Sequence, residues 1–283
     1  MKTFLRALAV GAFAVAATPT LAADLLQDPP IIHDPGPQYV EPQSFGSGYL
    51  EGSYEHVQGR NSQPEKNRWA IRGSHAVTFS QHFNIQVDGE YAVDKSSCCD
   101  DSDLNGTLHL FTRDPHRYAL GAYGHLGQVN GLNDKKEDIS LVGLEAAAFL
   151  GQFTLMGQVG RGTIKTATQS YSTVLGTGTA RYYINDNLRL NATLSLDDTE
   201  LTNASSSSTH FGVHADWRMA KAPLTLFAGY RFEREKLDVN GVSIDPVDSD
   251  VFFVGARFHW GSKSLKDEER RGTLWAPVGR IGN

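Results

Sequence analysis

The chain has 283 residues, of which 32 are acidic and 26 are Lys or Arg, and its formal net charge is −6. This acidic balance argues against a nucleic-acid-binding protein, because such proteins need basic surface to bind phosphates. Beyond the N-terminus, no stretch reaches the roughly 18 consecutive apolar residues that a membrane-spanning helix needs. The sequence therefore excludes a bundle of such helices.

The N-terminus has the three parts of a secretory signal sequence. Lys2 and Arg6 precede an apolar run at residues 8–17, and residues 20–22 supply a small-x-small cleavage site. We expect residues 1–22 to be removed during export. The loss of Lys2 and Arg6 then changes the net charge from −6 to −8.

Residues 23–46 contain five prolines and few periodic apolar positions. This composition predicts an extended leader, because proline restricts the backbone and no apolar face is available for packing. The leader either hangs free or enters the interior of the domain that follows.

From residue 47 onward, apolar and polar side chains alternate in twelve segments. In residues 83–94 one face is apolar and the other carries Asp88, Glu90 and Asp94. A period of two is typical of a β-strand. The segments lie near residues 48–58, 67–79, 83–94, 103–112, 117–128, 139–150, 153–164, 172–183, 188–197, 209–218, 224–237 and 249–260.

The segments and their connections favour a membrane barrel over a soluble sheet. Most segments have about ten or more residues, which matches the ~9 to 11 of a tilted membrane strand and exceeds the ~5 to 6 of soluble sheets. Short turns such as residues 80–82 and 151–152 alternate with polar links such as residues 95–102 and 198–209. We therefore predict an all-β, up-and-down antiparallel transmembrane β-barrel of about twelve strands at residues 47–261.

The last segment ends in Gly255-Ala256-Arg257-Phe258-His259-Trp260. With the export signal and the rim asymmetry, the chain resembles Gram-negative outer-membrane β-barrel proteins of the porin-like kind. The resemblance implies residence in the outer membrane, contact with its lipid, and recognition of Gly255, Phe258 and Trp260 by the barrel assembly machinery. It also places the short turns, the leader and residues 262–283, a polar tail, in the periplasm.

Charged residues follow the face that such a barrel turns toward its lumen. Across the turn at residues 80–82, positions whose numbers sum to 162 face each other, which pairs Arg72 with Glu90 and Arg68 with Asp94. The predicted lumen-lining charges are Arg68, Arg72, Asp88, Glu90, Asp94, Glu145, Arg181, Arg189, Asp216, Arg218, Arg231, Glu233 and Arg257.

Strand direction predicts a charge gradient along the lumen. The residues predicted near the short-turn rim are Arg113, Arg117, Arg189, Arg218 and Arg257, and those near the long-loop rim are Asp94, Asp197, Glu233 and Glu235. The lumen is thus expected to be basic at its periplasmic end and acidic at its outer end. These charges either brace the barrel or filter solutes, because at twelve strands the side chains decide whether a pore remains.

No motif predicts catalysis, a metal site or a cofactor. His210, His214 and Asp216 share a strand face, but four residues of strand span about 13 Å, so the histidines need other strands to complete a metal site. The glycines of residues 157–162 lack the helix and lysine of a phosphate loop, and we expect them to ease strand curvature. The acidic loop at residues 98–103 lacks calcium-loop spacing, and its two adjacent cysteines cannot form a disulfide framework.

We predict a porin-like passive channel for small polar solutes, without enzyme activity and without a cofactor. Two alternatives stay open: an outer-membrane hydrolase that acts on lipid or peptide, which the resemblance also allows, and a structural or surface-interaction barrel with a closed lumen. The expected partners are outer-membrane lipid, the barrel assembly machinery and small polar solutes, with no nucleic acid.

Overall fold

The computed structural model describes residues 46–60, 65–79, 83–96, 100–130, 136–166, 169–201, 204–276 and 278. The predicted signal sequence, nearly all of the leader, the turn at residues 80–82 and both cysteines lie outside the described residues. Within the described part of the chain, no helix has the length and apolar composition that a membrane crossing requires.

The described residues form thirteen strands and one short helix, α1 (Leu265–Arg271). The strands are β1 (Ser47–Gly59), β2 (Lys66–Thr78), β3 (Phe83–Ser96), β4 (Asp100–Asp114), β5 (Tyr118–Asn130), β6 (Lys136–Leu150), β7 (Phe153–Lys165), β8 (Ser170–Asn185), β9 (Leu188–Glu200), β10 (Ala204–Arg218), β11 (Leu224–Val239), β12 (Val242–Ser243) and β13 (Val247–Trp260).

Twelve of these strands close into one antiparallel barrel. Strands β1 to β11 pair in chain order, β13 pairs with β11, and β13 also pairs with β1, where Trp260 is opposite Gly48. The two-residue strand β12 pairs only with the outer end of β11, in the loop that leads to β13. The structure thus confirms the predicted twelve-stranded up-and-down barrel.

The alternation in β3 shows which way the barrel wall faces. Phe83, Val87 and Tyr91 expose 67%, 53% and 50% of their surface, whereas Gln86 and Asp88 expose 0% and 3%. Apolar side chains therefore point outward and polar side chains point inward, which is the reverse of a water-soluble sheet. This arrangement suits a wall surrounded by lipid, in which closure of the barrel leaves no unpaired strand edge.

Aromatic side chains mark both ends of the apolar outer face. The rings of Phe153 and Tyr182 pack at 4.7 Å near the short-turn rim, where Trp217 is also exposed. Near the long-loop rim, Tyr54 and Trp69 pack at 4.7 Å. Amphipathic rings at these two levels match the positions of lipid headgroups.

The strands extend further toward the long-loop rim than the sequence predicts. Most of the predicted loop at residues 198–209 is paired strand, because β9 continues to Glu200 and Ser205 is directly opposite it on β10. Ladder hydrogen bonds use backbone groups, so a serine-rich segment that is polar on both faces can continue the sheet. On the opposite rim, Gly151 has φ of +67°, which allows β6 and β7 to connect through two residues.

The C-terminal part of the chain lies inside the barrel. The sequence predicts a polar periplasmic tail at residues 262–283, but the described residues 262–276 and 278, here called the C-terminal segment, fold back into the lumen. Gly261, with φ of +74°, reverses the chain immediately after β13. Leu265 and Trp275 are then only 1% and 2% exposed.

Leu144 provides a test of the outward apolar face, because it lies near the middle of β6 and is 65% exposed. We expect Leu144→Arg to lower the free energy of unfolding in lipid vesicles by about 2–4 kcal/mol, and Gln128→Arg, at the end of β5, to cost about 0–1 kcal/mol. Denaturant titration in vesicles measures both values. Equal costs at the two positions would contradict a lipid-facing belt.

Candidate functional site: the barrel lumen

The inner face of the barrel carries two groups of charged side chains at different depths. The long-loop network centres on Arg68 and Arg72, and the arginine ring consists of Arg113, Arg181, Arg189 and Arg218 near the short-turn rim. All thirteen charged residues predicted to line the lumen project inward and are buried or partly buried.

Arg68 is the most deeply buried cation of the long-loop network, with 1% exposure. Its guanidinium contacts Glu90 at 2.9 Å, Asp94 at 3.2 Å and Asp103 at 2.7 Å. Asp94 is directly opposite Arg68 in the β2–β3 ladder, as the hairpin register predicts. The register of the β2–β3 hairpin could not predict the contact with Asp103, because that residue lies on β4, two strands away from Arg68.

Arg72 continues the network toward the seam that closes the barrel. It is opposite Glu90 and contacts that carboxylate through Nε, and its Nη1 lies 3.0 Å from Glu51 on β1. Glu51 in turn lies 2.6 Å from Arg257 on β13. The first and last strands of the barrel are therefore joined by ion pairs as well as by their backbone ladder.

A second bridge crosses the same seam closer to the long-loop rim. Arg231 on β11 contacts Glu55 on β1 at 3.0 Å and Glu233 on its own strand at 2.5 Å. Its neighbour Arg234 faces the outside and pairs with Asp248 at 2.7 Å. Arg231 thus faces the lumen and Arg234 faces the outside, although both lie on β11.

A buried histidine links three strands lower in the lumen. His109 on β4 is 0% exposed, its Nε2 lies 2.9 Å from Asp88, and its Nδ1 lies 2.9 Å from Glu145. Its ring also stacks on Trp275 of the C-terminal segment, with centroids 6.4 Å apart. This cluster braces the wall and leaves no solvent access to the imidazole.

The histidines of β10 also have carboxylate neighbours. His210 lies 3.6 Å from Asp197 and 3.7 Å from Glu233, and His214 lies 3.6 Å from Asp216. Among the described residues, no group of three or more His, Cys, Asp and Glu side chains could hold a metal ion.

The arginine ring differs from the predicted basic rim, because it includes Arg181, whereas Arg257 pairs with Glu51 in the long-loop network and Arg117 lies outside the lumen. Arg113, which is 3% exposed, projects inward from β4, but the side chain of Arg117 is 81% exposed and lies 4.0 Å from Asp114. Residue 117 belongs to the turn before β5, where the inward and outward alternation of the strands does not apply. Arg117 therefore does not contribute to the lumen.

The arginine ring binds the carboxylate of Glu269 in α1. Glu269 Oε2 lies 2.8 Å from Arg181 and 3.8 Å from Arg189, and Thr154 donates a hydrogen bond of 2.5 Å to Oε1. Burial raises the pKa of the Glu269 carboxyl, but Arg181 and Arg189 outweigh it, so the pKa lies below its usual range. The group is therefore ionised at neutral pH.

The neighbouring carboxylate, Glu268, has a separate set of partners on strands β10 and β13. It contacts His259 on β13 and lies 3.7 Å from Arg218 on β10. Thr273 donates a hydrogen bond of 2.6 Å to Glu268 Oε1. Two adjacent glutamates thus attach α1 to neighbouring sectors of the barrel wall, β7–β9 through Glu269 and β10–β13 through Glu268.

Wall side chains also satisfy the backbone of the C-terminal segment beyond the helix. Arg113 donates to the carbonyl of Gly272 at 2.8 Å. Gln86 accepts from the amides of Leu274 and Trp275 at 2.8 and 3.2 Å, and it donates to the carbonyl of Trp275 at 3.0 Å. These bonds replace the secondary structure that a buried irregular segment lacks.

Close packing also holds the C-terminal segment against the barrel wall. Gly272 passes so close to β1 that a Cβ atom at this position would lie 1.7 Å from Ser47 Oγ. The ring of Trp275 meets Phe111 edge-on, with centroids 5.7 Å apart. Gly272, Trp275 and the apolar residues Leu265, Leu274 and Val278 were the sequence signal for a packed segment.

A cavity of about 330 Å³ lies in the lumen between the strands and the C-terminal segment. On β8 and β9 its wall carries the hydroxyl groups of Thr177, Thr179, Thr193 and Ser195 as well as two guanidinium groups. The described charged residues that line the cavity are eight carboxylates and five arginines, namely Glu51, Glu55, Asp88, Glu90, Asp103, Glu233, Glu268, Glu269, Arg72, Arg181, Arg189, Arg231 and Arg257. The cavity therefore has an excess of negative charge.

The three residues of the predicted assembly signal lie on β13. Phe258 and Trp260 face outward and are 53% and 39% exposed. Gly255 faces inward, where a Cβ atom would lie 2.2 Å from the ring of Phe227. This glycine is thus required by packing within the barrel, whatever its part in assembly.

Comparisons with known proteins place this geometry in a structural class. No family model matches the chain, and no curated protein sequence matches it. The COG4313 outer membrane channel from Pseudomonas putida F1 superposes with a TM-score of 0.55 at 12% identity, over 78% of this chain and 100% of that chain. This similarity shows a shared fold, and the chain thus has the fold of outer-membrane β-barrel proteins.

Other solved barrels superpose less closely. OmpT of Vibrio cholerae gives a TM-score of 0.44 at 10% identity, over 76% of this chain and 100% of that chain. The β domain of the Bordetella autotransporter BrkA gives 0.45 at 12% identity, over 76% and 99% of the two chains.

Arg68 and Arg60 allow the contribution of the network to stability to be measured. Arg68 is buried in the network, whereas Arg60 is half exposed beside Asp250 and serves as the control. We expect Arg68→Ala to cost about 3–5 kcal/mol of unfolding free energy, because the buried Glu90 and Asp103 and the partly buried Asp94 lose a shared cation. Arg60→Ala should cost about 0–1 kcal/mol. Urea titration of both variants measures the difference, and similar costs would contradict the central position of Arg68.

Proposed function

We propose that the protein is an outer-membrane channel for small polar solutes, with a preference for cations, and that its own C-terminal segment narrows the lumen. The observation that carries the proposal is the cavity of about 330 Å³ inside a closed barrel, with a polar and charged lining. Interior side chains that served only to fill space would leave no such volume. A volume of this size admits small molecules rather than folded proteins.

The preference for cations follows from the balance of charge. Carboxylates outnumber arginines by eight to five among the described residues that line the cavity. Charges in a confined space of low dielectric act on a passing ion more strongly than they would in water. Cations are therefore enriched in the lumen relative to anions.

Location and assembly belong to the same proposal. The apolar outer face, with aromatic rings at both ends, fits a lipid bilayer, and the export signal predicted at residues 1–22 directs the chain to the cell envelope. We propose that the barrel assembly machinery recognises Phe258 and Trp260 on the outward face of β13. The short-turn rim then faces the periplasm. The Pseudomonas protein of the same fold is described as an outer membrane channel, and we extend that role to this chain.

Planar-bilayer recordings on the purified full-length protein test the function directly. We expect small unitary conductance steps and a reversal potential that favours K⁺ over Cl⁻ in a salt gradient. A complete absence of steps in correctly folded protein would overturn the channel and favour the closed structural barrel.

Arg231 and Arg234 supply a selectivity test with a built-in control. Arg231→Gln removes a positive charge that faces the lumen, so the permeability ratio of K⁺ to Cl⁻ should rise about two- to five-fold, because a unit charge a few Å from an ion is worth roughly 0.5–1 kcal/mol in water. Glu233→Gln should lower the ratio, and Arg234→Gln, on the outer face, should leave it unchanged. Equal effects of Arg231→Gln and Arg234→Gln would contradict conduction through this lumen.

A further inference from the structure

We propose that the arginine ring, together with His259, is a carboxylate-binding site, and that Glu268 and Glu269 occupy it as a tethered ligand. The class of external ligand that fits this site is a small dicarboxylate. The site would regulate the channel proposed above, but ligand binding at the ring does not depend on conduction.

The wall leaves this site with uncompensated positive charge. Among the ion pairs of the described residues, Arg181 and Arg218 have carboxylate partners only in the C-terminal segment. Arg113 is bound by backbone carbonyls of that segment and by Asn84 rather than by a carboxylate of the wall. These three arginines are 3–8% exposed. A buried guanidinium without a counter-charge is strongly unfavourable, so once the segment covers Arg181 and Arg218, the carboxylates of Glu269 and Glu268 stabilise them.

The site has two separate carboxylate positions. At the first, Arg181 Nη1 lies 2.8 Å from Glu269 Oε2, and Thr154 donates to Oε1 at 2.5 Å. At the second, Glu268 contacts His259, and Arg218 lies 3.7 Å away. With Arg189 on β9, which lies 3.8 Å from Glu269, side chains from five strands converge on two carboxylates that are consecutive in the chain. Two linked acid groups match this arrangement better than a single anion does.

The first carboxylate position, at Arg181 and Arg189, opens on the cavity. Arg181, Arg189, Glu268 and Glu269 all line the cavity, so a solute in the cavity reaches the ion pairs. A free dicarboxylate would compete with the two glutamates for the same donors. Successful competition would displace the segment and would leave basic side chains at the short-turn end of the lumen.

The test compares three full-length proteins in detergent micelles: the wild type, the E268Q/E269Q variant and the D267N variant. Asp267 is the matched control, because its carboxylate contacts Lys263 N at 2.9 Å and Arg271 at 3.9 Å, both within the C-terminal segment. Calorimetric titration with succinate measures binding, and neutral succinamide controls for non-ionic contacts. We expect E268Q/E269Q to bind succinate at least tenfold more tightly than the other two proteins, and none to bind succinamide.

Removal of one arginine of the ring tests whether succinate binds at this position. R181Q/E268Q/E269Q should lose the succinate affinity that E268Q/E269Q gains. If E268Q/E269Q does not fold, Glu269→Gln replaces it, since glutamine keeps the hydrogen bond with Thr154. Equal succinate affinity in wild type and variant, or affinity that survives Arg181→Gln, would overturn the site. Folded protein that binds succinate but does not conduct would overturn only the channel, and conduction without succinate binding would overturn only this site.

Discussion

Burial of arginine inside a closed wall is the constraint on which this structure depends. Once the twelve strands close, polar side chains on the inner face lose most of their water, and each guanidinium needs carboxylates or, as at Arg113, backbone carbonyls within a few Å. Arg68 meets three carboxylates from two neighbouring strands, and Arg257 is bound by Glu51 across the closing seam. These ion pairs therefore link strands that are far apart in sequence. The same ion pairs determine both the cross-section of the barrel and the charge distribution inside it.

The same constraint accounts for the position of the C-terminal segment. The lower arginines lack enough carboxylates on the wall, and Glu268 and Glu269 supply them from α1. The segment also fills the space beside His109 and Phe111 with Trp275. One stretch of chain thus neutralises the basic end of the lumen and narrows it. What remains is an acidic cavity, and this combination gives the protein its proposed preference for small cations.

Periodicity made the barrel itself predictable. Alternation in segments such as residues 83–94 predicted the strands. The register across the turn at residues 80–82 predicted the Arg72–Glu90 and Arg68–Asp94 pairs, because antiparallel register is a local property. Contacts such as His109 with Glu145 were not predictable, since they join strands two apart and depend on the curvature of the wall. The docked segment was missed for another reason. Its polar composition indicates solvent, and only knowledge of an uncompensated arginine ring predicts that its acids are buried.

Amide hydrogen exchange of the C-terminal segment, on the full-length protein in lipid, tests the central claim most directly. The amides of Leu274 and Trp275 donate to Gln86 on β3 and are enclosed by the wall. The structure predicts that both amides exchange orders of magnitude more slowly than a free peptide of the same sequence, at rates comparable with those of the β3 ladder. Exchange at free-peptide rates, with the strands still protected, would contradict the docking of this segment in the lumen.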